Sequence, residues 1–206
     1  MCSICGTSSK QYLCKKCEKK LNQMKIFSAP EHLKSAPEGY FFDEKIHAFM
    51  YEGIVRELIL QYKFNHKPYI YRTFKTFFQN NEKLYLLFRN YDIIVPVPIS
   101  KRRWKDRGYN QSTLLTKELA KIFDLEHEEN VIIKTKNNLT QSTLGKEDRL
   151  LNAKNVYKIK DNTNIKNKNI LLVDDIFTTG ATCNECAKVL KEAGAKKVGI
   201  FTIAKD

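Results

Sequence analysis

The segment NILLVDDIFTTGAT, residues 169–182, restricts the possible folds of this 206-residue chain more than any other part of the sequence. A continuous apolar run, residues 170–173, precedes two adjacent acids, Asp174 and Asp175, and a run of small residues follows them. Apolar residues without alternation are typical of a strand that is buried on both faces, as in a parallel sheet covered by helices. We therefore predict an α/β domain in this part of the chain.

The neighbouring segments indicate the same fold class. Cys186, Val189 and Leu190 have helical spacing after the small residues, and KVGIFTIA (197–204) is a second apolar strand. Residues 40–53 are strand-like and predict a hairpin. Other helices are predicted over IVRELILQYKF, IYRTFKTFF and QSTLLTKELAKIF, and other strands over YDIIVPVPIS and VIIK. This alternation predicts a mainly parallel sheet flanked by helices.

Four cysteines near the N-terminus form two CxxC pairs separated by eight residues: Cys2, Cys5, Cys14 and Cys17. Four thiolates at this spacing suit one tetrahedral zinc ion, which would supply the folding energy that a segment of about 20 residues lacks. Disulfides and redox thiols are the alternatives, and the absence of an apolar secretion signal argues against the disulfides. We predict a zinc-binding module and connector over residues 1–35 and a larger domain over residues 36–206.

The remaining two cysteines, Cys183 and Cys186, fall in the predicted C-terminal helix. We expect them to pack against the sheet as small apolar side chains, and a second metal or redox site is the alternative. No apolar run approaches the roughly 18–20 residues of a membrane-spanning helix. We therefore expect a cytoplasmic protein without a membrane span.

Basic charge is concentrated in three segments of a chain whose formal net charge is +13. Residues 1–35, 101–107 and 134–168 carry net charges of +5, +4 and +6. Clusters of this kind favour ligands that carry phosphate, including nucleic acids. For residues 134–168, simple solubility in a Lys- and Asn-rich segment is the alternative.

The two acids and the small residues after them suit different parts of one ligand, a polar part with hydroxyl groups and an anionic part. At the carboxyl edge of a parallel sheet, threonine hydroxyls, converging backbone N–H groups and a helix N-terminus form an anion cradle. Adjacent carboxylates suit sugar hydroxyls, a metal ion or both. A phosphoribosyl compound with Mg²⁺ nearby satisfies both halves. The candidate binding residues are Asp174, Asp175, Thr178, Thr179, Gly180, Ala181 and Thr182.

The segment ILLVDDIFTTGAT resembles the 5-phosphoribosyl-1-diphosphate (PRPP) motif of type I phosphoribosyltransferases. The resemblance implies that the two acids bind the 2′- and 3′-hydroxyls of ribose and that the following loop holds the 5′-phosphate. It also implies Mg²⁺ bound together with PRPP. Phe177 departs from the motif, because many members carry a smaller aliphatic residue there.

The order of motifs along the chain narrows this resemblance. A four-cysteine module, then VPVPISKRRWKDRGYNQ, then LTQSTLGKEDRLLNAKNVY, then the PRPP motif is similar to the competence protein F (ComF) family, of the ComFC type. The similarity covers nearly the whole chain. It implies a role in natural transformation, in which incoming single-stranded DNA is handled on the cytoplasmic side of the uptake machinery. The partners implied are PRPP, single-stranded DNA and other competence or DNA-translocation proteins.

Two further groups of residues are predicted to contact or cover bound PRPP. Ser100, Lys101 and Arg102 follow a strand end and are predicted to meet the diphosphate. Gln141 and Arg149 lie in a long polar loop and are predicted to act as a lid over the site. An ordinary surface loop is the alternative for this second group.

Four basic residues are predicted to contact single-stranded DNA: Arg103 and Arg107 in the central segment, and Lys15 and Lys16 in the cysteine module. Two functional hypotheses stay open. The chain is either a DNA-uptake factor that retains a PRPP-binding fold, or a working transferase that moves ribose 5-phosphate from PRPP to a nitrogenous base. A scaffold that recruits competence proteins is a weaker third. The sequence identifies neither a catalytic residue nor a base pocket within residues 40–90.

Overall fold

The computed structural model describes residues 1–24, 31–32, 39–135, 155–161 and 163–206, with residues 31–32 described by their backbone alone. The helices are α1 Lys15–Gln23, α2 Gly53–Phe64, a 3₁₀ helix Pro68–Phe74, α3 Lys75–Gln79, α4 Glu82–Phe88, α5 Lys101–Arg107, α6 Gln111–Phe123 and α7 Ala181–Glu192. The strands are β1 Glu31–His32, β2 Glu44–Met50, β3 Ile93–Pro96, β4 Glu126–His127, β5 Ile132–Lys134, β6 Tyr157–Ile159, β7 Asn169–Phe177 and β8 Lys197–Lys205.

The central sheet has six strands in the order β1-β2-β8-β7-β3-β4. Every neighbouring pair is parallel except β1 with β2, which is antiparallel. Strands β5 and β6 form a separate antiparallel ribbon. The predicted α/β fold with a mainly parallel sheet flanked by helices is therefore confirmed.

Strand β7 shows why its sequence is continuously apolar. Side chains alternate across a strand, and both faces of this one are buried. Leu171 and Val173 face a core formed with α2, the 3₁₀ helix, α3, α4 and α6. Ile170 and Leu172 face a second core formed with α7 and the β5–β6 ribbon. Cys183 and Cys186 of α7 are buried in this second core, as the sequence predicts.

Three local predictions differ from the structure. Residues 40–53 contain the single strand β2 and not a hairpin, because β2 pairs with β8 and with β1 instead. The segment IYRTFKTFF begins as a 3₁₀ helix and becomes α-helical only at Lys75. The connector within residues 1–35, for which the sequence predicts no strand, contributes the two-residue strand β1.

The unequal lengths of neighbouring strands create the space for a site. Pro96, the last residue of β3, pairs with Val173, whereas β7 continues to Phe177 along β8. Asp174 and Asp175 therefore lie immediately beyond the end of β3 while their backbone remains in the sheet. The carboxyl edge of such a sheet is where ligands bind in open α/β folds.

The four-cysteine module packs directly on the larger domain. Cys17 and Leu21 of α1 are buried in the same core as residues of α2. The side chain of Gln61 donates a hydrogen bond of 2.8 Å to the carbonyl of Ser3. Within the described ranges, no helix is both long and apolar enough to cross a membrane.

Candidate functional site

Asp175 is buried, and each of its carboxylate oxygens has one partner within the protein. The Nζ atom of Lys63, near the end of α2, lies 2.8 Å from Oδ1, and the side chains of Lys63 and Asp175 are 21% and 4% exposed. The Nε2 atom of Gln111, the first residue of α6, donates a hydrogen bond of 2.8 Å to Oδ2. Three elements, α2, α6 and β7, thus fix this carboxylate.

Asp174 is held on one side only. Its Oδ1 accepts hydrogen bonds from the hydroxyl of Ser112 at 3.0 Å and from the backbone N–H of Asp175 at 2.8 Å. Its Oδ2 accepts none from any described residue. Burial, followed by the charge of Asp175, raises the pKa of Asp174 to about 7, although Lys63 and the two hydrogen bonds oppose the rise. A carboxylate that is costly to ionise and has a free oxygen is typical of a binding site.

The loop after β7 turns sharply into α7. Gly180 precedes the helix with φ of +74°, a conformation that favours glycine. The hydroxyl oxygen of Thr179 accepts a hydrogen bond of 3.4 Å from the N–H of Ala181. Thr178 and Thr182, at the two ends of the turn, line a cavity shared with both acids. The predicted phosphate loop therefore opens on the same space as the acids.

This cavity has a volume of about 560 Å³. Besides β7, its charged lining comes from three elements, α2, α5 and β5, and from Asp206, which follows β8. The cations are Lys63, Arg103, Arg107 and Lys134, and the carboxylates are Asp106, Asp174, Asp175 and Asp206. The four cations converge on a space that also receives a helix N-terminus, which is the arrangement expected for a phosphorylated ligand.

Helix α5 presents different basic residues to the cavity than the sequence predicts. Ser100 is buried and caps α5 by accepting a hydrogen bond of 3.3 Å from the N–H of Arg103. Lys101 and Arg102 are exposed and do not line the cavity. Arg103 and Arg107, predicted as DNA contacts, line it instead. These two residues are one helical turn apart, and that spacing is the signal that places them on one face.

Arg107 is partly desolvated beside the acids. Burial lowers the pKa of its guanidinium, and the charge of Asp175 opposes that effect. Its Nη1 atom is buried and has no hydrogen-bond partner among the described residues. The guanidinium lies 5.7 Å from the ring centre of Phe64. An arginine with an unused buried donor beside a cavity is suited to a ligand oxygen.

Lys134 reaches the cavity from the β5–β6 ribbon. Its Nζ atom lies 5.3 Å from the ring centre of Tyr157 on the paired strand. Burial, followed by the charge of Arg103, lowers the pKa of Lys134 to about 8. The sequence did not identify Lys63 or Lys134 as site residues, because neither belongs to a motif. A single lysine beside apolar residues is usually a solvent-exposed side chain. The candidate lid residues Gln141 and Arg149 lie outside the described residues.

The four N-terminal cysteines meet at one point. Their Sγ atoms all lie within 4.8 Å of one another, with 3.6 Å between Cys5 and Cys14, and none forms a disulfide. Zinc bound to four thiolates at about 2.3 Å requires sulfur–sulfur distances of roughly 3.8 Å, so the cluster could hold a metal ion. It is the one group of three or more metal-binding side chains found in the described part of the chain. Lys15 and Lys16 are exposed on α1 beside it.

Comparison with known proteins gives a consistent result. A family model for the phosphoribosyl transferase domain matches residues 110–206. Competence protein F of Haemophilus influenzae is 32% identical over 159 residues, which cover 72% of this chain and 66% of that protein. Competence protein ComFC of Bacillus subtilis is 29% identical over 209 residues, which cover 100% of this chain and 78% of that protein.

A further relative, DNA utilization protein YhgH of Escherichia coli, is 32% identical over 114 residues, which cover 55% of this chain and 49% of that protein. The chain thus spans slightly less than two thirds of the Haemophilus protein and about half of the Escherichia protein. The family model and these relatives show that the chain belongs to the competence protein F (ComF/ComFC) family, with a phosphoribosyltransferase-like domain.

Proposed function

We propose that this protein is a DNA-uptake factor that handles single-stranded DNA on the cytoplasmic side during natural transformation, and that its phosphoribosyltransferase-like domain binds PRPP. The competence and DNA-utilization relatives support the first part. The geometry of the cavity supports the second. The proposed partners are PRPP, single-stranded DNA and other competence or DNA-translocation proteins.

One observation carries the PRPP proposal. Arg103, Arg107 and Lys134 line the same cavity as Asp174, Thr178 and Thr182. None of the three cations forms an ion pair with a described carboxylate. Cations that line one cavity and form no ion pair with a described carboxylate favour an anionic ligand. PRPP offers phosphate at both ends and hydroxyl groups between them. Mg²⁺ would enter bound to PRPP and neutralise its diphosphate, and the neighbouring carboxylates are compatible with a divalent cation.

Exposed basic surfaces support the DNA proposal. On α5, the residues that face away from the cavity include Lys101, Arg102 and Lys105, and Trp104 between them is 57% exposed. Basic side chains beside an exposed aromatic ring are suited to the phosphates and bases of single-stranded nucleic acid. Lys15 and Lys16 form a second exposed basic patch on α1, beside the proposed structural zinc site.

A second candidate function, transfer of ribose 5-phosphate from PRPP to a nitrogenous base, is favoured by the apolar residues that line the cavity. Tyr51, Leu60 and Phe64 line it, although the sequence indicates no base pocket in residues 40–90. An aromatic and aliphatic wall next to the acids is suited to a planar heterocycle. Diphosphate release from PRPP in the presence of a base would support this candidate, and its absence with bound PRPP would favour binding without transfer.

Calorimetric titration of PRPP with Mg²⁺ tests the PRPP proposal, first alone and then with single-stranded DNA present. We expect binding by the wild type, weakened at least about tenfold by Arg103→Gln or Arg107→Gln because each removes a charged hydrogen-bond donor. Lys101→Gln and Arg102→Gln should have smaller effects on PRPP affinity, since these side chains are exposed and do not line the cavity. Arg89→Gln, at an exposed arginine directly after α4 that does not line the cavity, is the matched control. A wild-type protein that binds no PRPP would refute the proposal.

A further inference from the structure

The end of α2 and the start of the loop after it, residues 63–66, form a wall segment of the cavity. Three residues of the wall segment line the cavity: Lys63, Phe64 and His66. The chain on either side of it contacts the four-cysteine module, through Gln61 before the segment and through Tyr69 after it. The wall segment is therefore held between two points of contact with the module.

The first contact is a hydrogen bond to the backbone of the module. The Nε2 atom of Gln61 donates a hydrogen bond of 2.8 Å to the carbonyl oxygen of Ser3, which lies between Cys2 and Cys5. The Oε1 atom of the same glutamine accepts a hydrogen bond of 2.8 Å from Lys67. One side chain thus joins the module to both ends of the wall segment.

The second contact is an aromatic stack. Tyr12, two residues before Cys14, stacks on Tyr69 with ring centres 5.4 Å apart. Its hydroxyl also accepts a hydrogen bond of 2.8 Å from Arg72. Within the module, the N–H of Ser3 donates a hydrogen bond of 2.8 Å to the carbonyl of Tyr12. The two points of contact are therefore linked to each other as well as to the cysteines.

The backbone of the wall segment depends on such support. His66 is exposed and has φ of +50°, in the left-handed region that is unfavourable for a residue with a Cβ atom. A residue keeps this conformation where the surrounding structure imposes it. We therefore expect the wall segment to rearrange when its contacts with the module are lost.

Metal binding determines whether the module keeps those contacts. The four Sγ atoms lie close enough together to share one metal ion. A short segment of this kind has too little apolar surface to fold by itself, so its folding and its metal binding are one equilibrium. Loss of the metal should therefore release Ser3 and Tyr12 together.

We propose, on the basis of the PRPP-binding function proposed above, that the cysteine module positions the wall of the cavity, so that metal binding by the module and ligand binding in the cavity strengthen each other. Gln61 is the positioning residue, because it joins Ser3 to the turn of α2 that carries Lys63. Lys63 in turn reaches Asp175 at 2.8 Å. By thermodynamic linkage, the factor by which the metal raises ligand affinity is also the factor by which the ligand raises metal affinity.

The first test measures binding of ribose 5-phosphate by calorimetry to the intact protein, loaded with zinc and after zinc has been removed by chelation and dialysis. We expect at least about fivefold weaker binding without zinc, the lower end of typical coupling between two sites. In the reciprocal experiment, ribose 5-phosphate should reduce the transfer of zinc to a coloured chelator by the same factor. Equal affinities with and without zinc would overturn the inference and leave the PRPP proposal intact.

A variant with intact cysteines separates this coupling from a general loss of stability. Gln61→Met removes the donor to Ser3 and keeps the length of the side chain. It should weaken ribose 5-phosphate binding with zinc present and reduce the further effect of zinc removal, because one contact that carries the effect is already lost. Lys67→Met, which removes only the other bond of Gln61, and Gln79→Met, at an exposed position that ends α3, should both retain most of the zinc dependence. An undiminished zinc dependence in Gln61→Met would contradict its positioning role.

Hydrogen exchange gives a readout that requires no ligand. On zinc removal, the amides of residues 61–69 should exchange faster by a larger factor than those of α7, which packs in the second core. Absence of ribose 5-phosphate binding to the zinc-loaded wild type would overturn the PRPP proposal and the ligand part of this one. Unchanged exchange at residues 61–69 would overturn the link between the metal and the wall segment, whether or not ribose 5-phosphate binds.

Discussion

The ring of Phe177 occupies the space beside Gly180 where any larger residue would place its Cβ atom. A Cβ built on Gly180 would lie 2.5 Å from Cζ of Phe177, well inside van der Waals contact. Phe177 is itself buried and packs edge-on against Phe42, with ring centres 6.1 Å apart. The aromatic residue at position 177 and the glycine at position 180 therefore depend on each other in shaping the phosphate loop.

Gly180→Ala should destabilise the protein by about 2–4 kcal/mol. Positive φ costs a residue with a Cβ roughly 1–2 kcal/mol, and the clash with Phe177 adds to that cost. Urea unfolding measures the loss of stability. Calorimetry with ribose 5-phosphate should show weaker binding as well, because the loop must shift to relieve the clash.

Gly108→Ala is the control for this prediction, since Gly108 has φ of +82° and no atom within 4 Å of its Cβ position. It should lose only about 1 kcal/mol. In a protein that already carries Phe177→Val, Gly180→Ala should lower the free energy of unfolding by less than it does in the wild type, because the clash with the ring is gone. Purely additive effects of the two substitutions would show that the contact is unimportant.

A second prediction concerns pH. The pKa of Asp174 is raised from 3.8 to about 7, mainly by burial. Between those values the unfolded chain has lost this proton and the folded protein retains it, so the free energy of unfolding should fall as pH rises from about 4 to 7. Asp174→Asn removes the ionised state, and should stabilise the protein at pH 7.5 by about 1–3 kcal/mol. Urea unfolding across this pH range measures both effects.

Asp161→Asn, at an exposed position, provides the comparison for the pH series. It should leave the slope of stability against pH unchanged. A lower stability of Asp174→Asn than of the wild type at pH 7.5 would contradict the prediction. It would mean that the hydrogen bonds of the Asp174 carboxylate with Ser112 and with the backbone of Asp175 outweigh the cost of burying its charge.

The third prediction concerns the four-cysteine cluster, for which we expect about one zinc ion per chain. Cys14→Ser should lower the zinc content measured by elemental analysis. It should also lower the stability of the larger domain, because Cys17 and Leu21 of the module are buried in that domain's core. Chelation of the wild type should have the same effect on stability.

Cys186→Ala removes a thiol elsewhere and should retain full zinc content, although it creates a small cavity in the second core. Full zinc retention after substitution of all four N-terminal cysteines would refute the metal assignment. The prediction is thus independent of any ligand of the cavity.

Hydrophobic patterning predicted the fold because it depends on local periodicity. The apolar run at Ile170–Val173 predicts a strand buried on both faces, and helical spacing over IVRELILQYKF predicts α2; both are confirmed. The pairing of β2 was missed, because a strand carries no local record of its partners. Parallel pairing with β8 joins residues more than 150 positions apart.

The sequence predicted the site residues that lie in one short segment, but not those that reach the site from distant elements. Asp174, Asp175 and the loop that follows are contiguous in the sequence. Lys63, by contrast, reaches Asp175 only because α2 packs beside the end of β7. The orientation of α5 likewise depends on packing, which is why the cavity is lined by Arg103 and not by its neighbour Arg102.

That orientation determines the last prediction, on binding of single-stranded DNA. Lys101, Arg102 and Lys105 are exposed on α5, whereas Arg103 and Arg107 line the cavity. The two groups of residues are therefore separable by substitution. DNA binding that depends on phosphate contacts falls steeply with salt, with a slope set by the number of contacts.

Replacing Lys101, Arg102 and Lys105 together by Ala should flatten the slope of affinity against salt concentration, measured by fluorescence anisotropy with a labelled oligonucleotide, because three phosphate contacts are lost. Trp104→Ala should weaken binding with little change of slope, since stacking on a base releases no counterions. Lys15→Ala with Lys16→Ala tests the cysteine module separately. If Arg103→Ala with Arg107→Ala flattened the slope more than the triple variant does, DNA would enter the cavity instead of the exposed face. At low salt, binding no stronger than that of a neutral protein of equal size would refute DNA binding altogether.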